Sequence, residues 1–278
     1  MGDGVRLNTA RRGFVAGQVH TLYPIGDIHA FNASCDLDAA YAVRDEAAAD
    51  PLALVIFIGD GTECITQSDP RWDSGGVDYS LVKPGDASKI IDVQVAWLAD
   101  FMRPLAEKVI CYHDGNHEKA VNRHNATNFS ERVMERAGIA PAVYSPGAAL
   151  TKIIFTDASR HACSLLINSS HGNQAGRMDG AKINRLKQAL AYFHCDIMLR
   201  GHSHSFFASP ADWLEPNANH SKLVAKRGYV SHTGSFLRTY EEDQDSYAED
   251  GDYPPTSIGC PRFLLTPSRE GCGIVAMA

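Results

Sequence analysis

Histidine, aspartate and asparagine recur in this sequence in five short polar blocks, each directly behind an apolar run. Asp27 and His29 follow "LYPI" in "GDIHA", and Asp60 follows "LVIFI" in "GDGTE". Asn116 and His117 follow "VICYH" in "DGNHE", His171 follows "SLLIN" in "SSHGN", and His202 and His204 follow "DIMLR" in "GHSH". Carboxylates and imidazoles in this mixture suit Mn, Fe, Zn or similar ions better than oxygen-seeking Ca. Singly, each block is weak, since a Gly-Asp after a strand is usually a turn and a loop histidine often only bonds backbone. Five blocks in one context point to a joint metal site.

The apolar runs must position these residues. They span 20–25, 52–58, 108–113, 151–155, 163–168, 195–200, 228–233, 262–266 and 273–278, and their length and Val, Ile and Tyr content predict strands. Helical spacing predicts helices over 36–49, 87–107, 127–137 and 178–193. Within 87–107, Ile90, Ile91, Val95, Leu98 and Met102 recur near a 3.6 period as a core-facing stripe. Strands alternating with helices predict a layered α/β domain. In open α/β sheets, sites assemble beyond the carboxyl ends of the strands, where all five blocks would sit. From about residue 205 the helical signal fades. A single domain over 1–278 with a loop-rich C-terminal part is the expectation.

Bulk properties exclude little but set limits. Hydrophobic residues make up 44% and charged residues 21%, as in an ordinary globular protein with a substantial core. The net charge of -7 offers no global basic field for nucleic acid or anionic lipid. No apolar run approaches the roughly 20 residues that span a bilayer. The opening stretch lacks the apolar core of a secretory signal, so a cytoplasmic protein without membrane contact is expected. The seven cysteines are scattered with no CxxC pair, which predicts free thiols. The stretch 241–252 holds seven acids in twelve residues and reads as a solvated loop.

The five blocks together resemble the signature of the calcineurin-like metallophosphoesterases: GD-x-H, then GD, then GNH with an acid, then His, then GH-x-H. They stand here as Gly26-Asp27-Ile28-His29, Gly59-Asp60, Gly115-Asn116-His117-Glu118, His171 and Gly201-His202-Ser203-His204, with "TGS" at 233–235 similar to the family's usual close. The resemblance implies a four-layer αββα sandwich and two divalent metal ions, Mn foremost, with Fe, Zn, Co or Ni also suited. Asp27, His29, Asp60 and His204 would surround one ion, and Asp60, Asn116, His171 and His202 the other. It further implies hydrolysis of a phosphoester by a metal-bridging hydroxide, with His117 protonating the leaving group. Asn116 would then lend a neutral amide oxygen, leaving its neighbour His117 unspent as a ligand.

Two positions depart from relatives that dephosphorylate proteins, which have Asp and then Arg where this chain has Glu63 and Cys64. Glu63 could orient His117 through a carboxylate–imidazole bond; Cys64 cannot grip phosphate as a guanidinium does. Lys119, Arg123 and Arg177 are the candidate substrate cations. The first two share one face if their segment is helical. Arg200 reads as structural. So do the histidines outside the blocks, with His113 and His124 near enough to be weighed as substrate contacts. The expected substrate is a small-molecule or nucleotide-type phosphodiester, with phosphomonoesters also open. A nuclease is not favoured, because it wants a basic track. A silent scaffold of the same fold is the rival reading, and hydrolysis of non-phosphate esters is a third.

Overall fold

The computed structural model describes residues 5–64, 76–82, 89–125, 127–173, 178–217, 219–240, 249 and 254–278. Five strands form one sheet in the order β11-β10-β2-β3-β4. These are β2 (His20–Ile25), β3 (Leu54–Phe57), β4 (Val109–Tyr112), β10 (Arg262–Ser268) and β11 (Gly271–Met277). A second sheet runs β1-β5-β6-β7-β9-β8. It consists of β1 (Arg6–Gly13), β5 (Ala149–Thr156), β6 (Ala162–Ser170), β7 (Ile197–Arg200), β8 (Phe206–Pro216) and β9 (Leu223–Thr233).

Strands β3, β4 and β7 are buried along their whole length, which explains their unbroken apolar sequences. Their alternate side chains serve different layers. Leu22, Leu54, Ile56 and Ile110 of the first sheet meet Ile153, Phe155, Leu165, Ile167, Ile197 and Leu199 of the second in a core between the sheets. Tyr23, Ile25, Val55, Phe57 and Tyr112 face the other way. They pack under α1 (Leu37–Ala49), α2 (Ile90–Met102) and α4 (Phe129–Ala137). On the outer face of the second sheet, Met198 and Val230 pack with Leu186 of α5 (Asp179–Leu190). The layers are therefore helix, sheet, sheet, helix. Each such side chain, fully buried, contributes about 1.5–3 kcal/mol.

All nine expected strands are present, as are the four expected helices, with 103–108 forming a 3-10 turn after α2. Two strands were not foreseen. β1 carries Arg6, Arg11 and Arg12 and lies at a sheet edge, where charge is tolerated. β8 contains Pro210 and Pro216, which read as loop, and it too is an edge strand. Beyond residue 205 the described residues are mainly β8, β9, β10 and β11. The acidic stretch 241–252 lies outside the described residues except for Glu249. All seven cysteines are free thiols. Among the described residues no helix is long and apolar enough to cross a membrane.

Candidate metal centre

β2, β3 and β4 run parallel, as do β6 and β7, so each group delivers its carboxyl ends to one edge. All five polar blocks converge there. The loops between them are tightly packed: a Cβ on Gly115 would lie 1.8 Å from Asp60 Oδ1, and one on Gly201 2.5 Å from Asp27 Oδ2. Glycine is therefore required before Asn116 and His202. Asp27, His29, Asp60, His202 and His204 all take positive φ, between 49 and 67°. Non-glycine residues held there cost about 1 kcal/mol or more each, and such strain clusters at functional sites.

Two donor groups result. In the first, His29 Nε2 lies 3.1 Å from His204 Nε2, and His204 Nε2 lies 3.6 Å from Asp27 Oδ1. In the second, Asn116 Oδ1 lies 2.9 Å from His171 Nε2 and 2.8 Å from His202 Nδ1. Asp60 stands between them, its Oδ2 3.1 Å from His171 Nε2 and 3.9 Å from His29 Nε2. All seven residues expected as ligands are thus brought together, and Asp27, Asp60, His29 and His171 are buried.

The hydrogen-bond bookkeeping favours a cation. His29 Nδ1 is 3.0 Å from Glu63 Oε2 and His171 Nδ1 is 3.0 Å from the Ile58 carbonyl. Both partners only accept, so each Nδ1 carries the hydrogen and each Nε2 of the neutral ring presents a bare lone pair. Those lone pairs face another imidazole nitrogen, an amide oxygen and a carboxylate. Acceptors crowded to about 3 Å repel unless a positive charge stands among them. Ligands bonded at roughly 2.0–2.2 Å to one ion have about this mutual spacing. The residues fit divalent metal ions.

The anionic surroundings that would attract a cation also shift the titrating groups. Burial raises the Asp60 pKa, but His171, His117 and His29 outweigh it and hold the carboxyl well below its usual range. Burial likewise opposes charge on His29, yet Glu63, Asp60 and Asp27 carry its pKa up to about 9. At His171, Asp60 and Asp27 overcome burial to the same value, about 9. Asp27, where burial dominates, is pushed up to about 6.

His117 opens α3 (Asn116–Asn125), and its Nε2 lies 4.0 Å from Asp60 Oδ2. The carboxylate of Glu63 does not orient it: Glu63 Oε1 is 3.9 Å from His117 Nδ1, too far for a hydrogen bond. The extra methylene carries the carboxylate on to His29 instead. His117 Nδ1 donates to the backbone carbonyl of Glu63 at 2.5 Å. Cys64 is buried 3.1 Å from Thr62 Oγ1 and is no phosphate ligand.

Lys119 and Arg123 are exposed one turn apart on α3, which is helical as their spacing required. Arg177 lies outside the described residues. Arg200 is structural, donating to Asn168 Oδ1 at 2.6 Å and the Leu199 carbonyl at 2.7 Å. His113 is wholly buried against the carbonyls of Ser145 and Gly147 and so touches no substrate, whereas His124 is exposed on α3.

Two supporting groups escaped sequence reasoning. Glu118, noticed only as part of its motif, accepts from the backbone amides of Asp60, Gly61 and Gly115 at 3.0, 2.9 and 2.8 Å. His232 of β9 carried no motif signal, yet it meets Ser203 Oγ, inside the GHSH loop, at 2.7 Å. Burial first and the Lys182 charge second hold the His232 pKa down to about 3, against the pull of the Gly201 carbonyl. A folded pKa below the unfolded value of about 6.5 means that the folded state resists protonation. Stability is therefore full above about pH 6.5 and falls below it, by up to about 1.4 kcal/mol per pH unit. Urea unfolding from about pH 6.5 down to pH 4.5 should show a shallower loss for His232→Gln than for the wild type. Equal slopes would remove His232 from the account.

No family model matches the sequence, and no curated protein does. Among solved structures, the chain is similar to Vacuolar Protein Sorting 29 from Cryptosporidium Parvum, at 14% identity over 93% of this chain and 97% of that one, with a TM-score of 0.39. A predicted phosphoesterase from Streptococcus pneumoniae TIGR4 gives 13% identity over 94% and 100%, with a TM-score of 0.33. Wild-type Vps29 complexed with Zn from Entamoeba histolytica gives 12% over 92% and 98%, also at 0.33. TM-scores this low transfer neither fold nor activity.

Proposed function

We propose that this chain is a dinuclear metal-dependent phosphoesterase of the calcineurin-like type that hydrolyses phosphodiesters of small-molecule or nucleotide kind. The convergence of seven donors whose lone pairs face one another across Asp60 carries this reading. When bound, divalent ions such as Mn supply positive charge for the phosphoryl oxygens and a water acidified toward neutrality. Asp27, His29 and His204 would hold one ion, Asn116, His171 and His202 the other, and Asp60 both. Asn116 adds a donor without adding charge. His117 Nδ1–H is fixed on the Glu63 carbonyl, so in the imidazolium form Nε2–H is the proton that faces the site. As water adds to phosphorus and the ester P–O bond breaks, that proton passes to the departing oxygen, and the proton released by the water restores the imidazolium through solvent, giving an alcohol and a phosphomonoester. Lys119 and Arg123 are the described cations on the helix that carries His117, and they would draw the substrate's phosphate.

The test is metal content per chain, with turnover of bis-(p-nitrophenyl) phosphate, p-nitrophenyl phosphate and a p-nitrophenyl carboxylic ester after chelation and Mn re-addition. The expected result is two ions per chain, with diester turnover abolished by chelator and restored by Mn. Two ions without turnover of any ester would make the chain a metal-binding scaffold. Hydrolysis of the carboxylic ester alone would change the reaction class.

A further inference from the structure

We propose that Glu63 is a positioning residue that sets the affinity of the first ion through His29, and that it does not serve the acid His117. The proposal rests on the phosphoesterase reading above. Its geometric basis is a division of labour within one residue. The side chain accepts from His29 Nδ1 at 3.0 Å, while the main-chain carbonyl accepts from His117 Nδ1 at 2.5 Å. A carboxylate behind a ligating histidine keeps the proton on Nδ1, aims Nε2 and strengthens it as a donor. His171, the equivalent imidazole of the second donor group, is backed only by the neutral Ile58 carbonyl. Among the described residues, an anion therefore backs His29 and not His171.

The loop that carries Glu63 is held independently of its side chain. Glu63 N donates to the Ala30 carbonyl at 2.8 Å, Cys64 N donates to Gln94 Oε1 at 2.7 Å, and Glu118 binds the amides of Asp60 and Gly61. Changing the carboxylate should leave the carbonyl in place on His117. The two contacts of Glu63 can thus be separated by mutation.

The experiment is Mn titration of the wild type, Glu63→Gln and Glu63→Ala by calorimetry and electron paramagnetic resonance, with turnover measured across the same Mn series. Glu63→Ala should weaken one ion by about 10–100-fold and leave the other unchanged. Glu63→Gln, which keeps an acceptor but loses the charge, should fall between. Turnover of both variants should drop at low Mn and recover as Mn is raised. Three results would overturn the assignment: unchanged affinity for both ions, equal weakening of both, or a turnover deficit that persists with both ions bound. The last would return Glu63 to the acid. A wild type that binds fewer than two ions would instead sink the phosphoesterase reading itself.

Discussion

On the proposed phosphoesterase reading, turnover of a diester with a poor leaving group should fall by about 10²–10⁴-fold in His117→Asn, the range for loss of a general acid, with metal content unchanged. His117 is 8% exposed and lies at the start of α3, next to Asn116 but outside both donor groups. Its Nδ1 is committed to the Glu63 carbonyl, and its Nε2 stands 4.0 Å from Asp60 Oδ2. A group so placed can hand a proton to a departing oxygen without being needed to hold a cation. The deficit should therefore depend on the leaving group. An alkoxide needs the proton and should suffer the full loss, whereas p-nitrophenolate leaves readily unprotonated and should suffer much less. A loss equal for both leaving groups, or a loss of bound metal, would show that His117 supports the site rather than acting as its acid.

The candidate donor set was readable because each block directly follows an apolar run, and runs that pair as parallel strands deliver their ends to one edge. Once Leu54–Phe57 pairs in parallel with His20–Ile25, and Val109–Tyr112 with Leu54–Phe57, Asp27, Asp60 and Asn116 have to share an edge. The supports were not readable, because they depend on side-chain reach and backbone direction. Whether Glu63 contacts His117 or His29 turns on one methylene, and the carbonyl that in fact holds His117 carries no sequence signal at all. Positive φ at Asp27, His29, Asp60, His202 and His204 is likewise hidden, since none of these residues is the glycine that would advertise it. β1 and β8 were missed for the opposite reason: their charges and prolines describe a sheet edge accurately, but resemble a loop when no sheet is yet in view.

Strained loops of this kind need an anchor, and Glu118 is placed to be one. It is wholly buried, and its two oxygens take three backbone amides, two from the loop after β3 and one from the loop after β4. Burial and the neighbouring Asp60 charge push its pKa up to about 8, against the Gly61 and Asp60 amides, which favour the carboxylate. The two loops it joins approach so closely that a Cβ on Gly59 would lie 2.2 Å from Gly115 N. In Glu118→Ala all three amides lose their acceptor in a place water cannot easily replace it, at about 1–3 kcal/mol each. The sum is at least about 3 kcal/mol, a large part of the roughly 5–15 kcal/mol that holds a typical domain folded. Glu118→Gln should cost less, about 1–3 kcal/mol, because one amide meets an NH₂ group while the remaining oxygen still accepts. Urea unfolding of the three proteins, each stripped of metal, would measure this directly. If Glu118→Ala lies within about 1 kcal/mol of the wild type, the three hydrogen bonds are not what hold Asp60 against Asn116. The anchor would then have to be sought in the packing of Gly59 against Gly115.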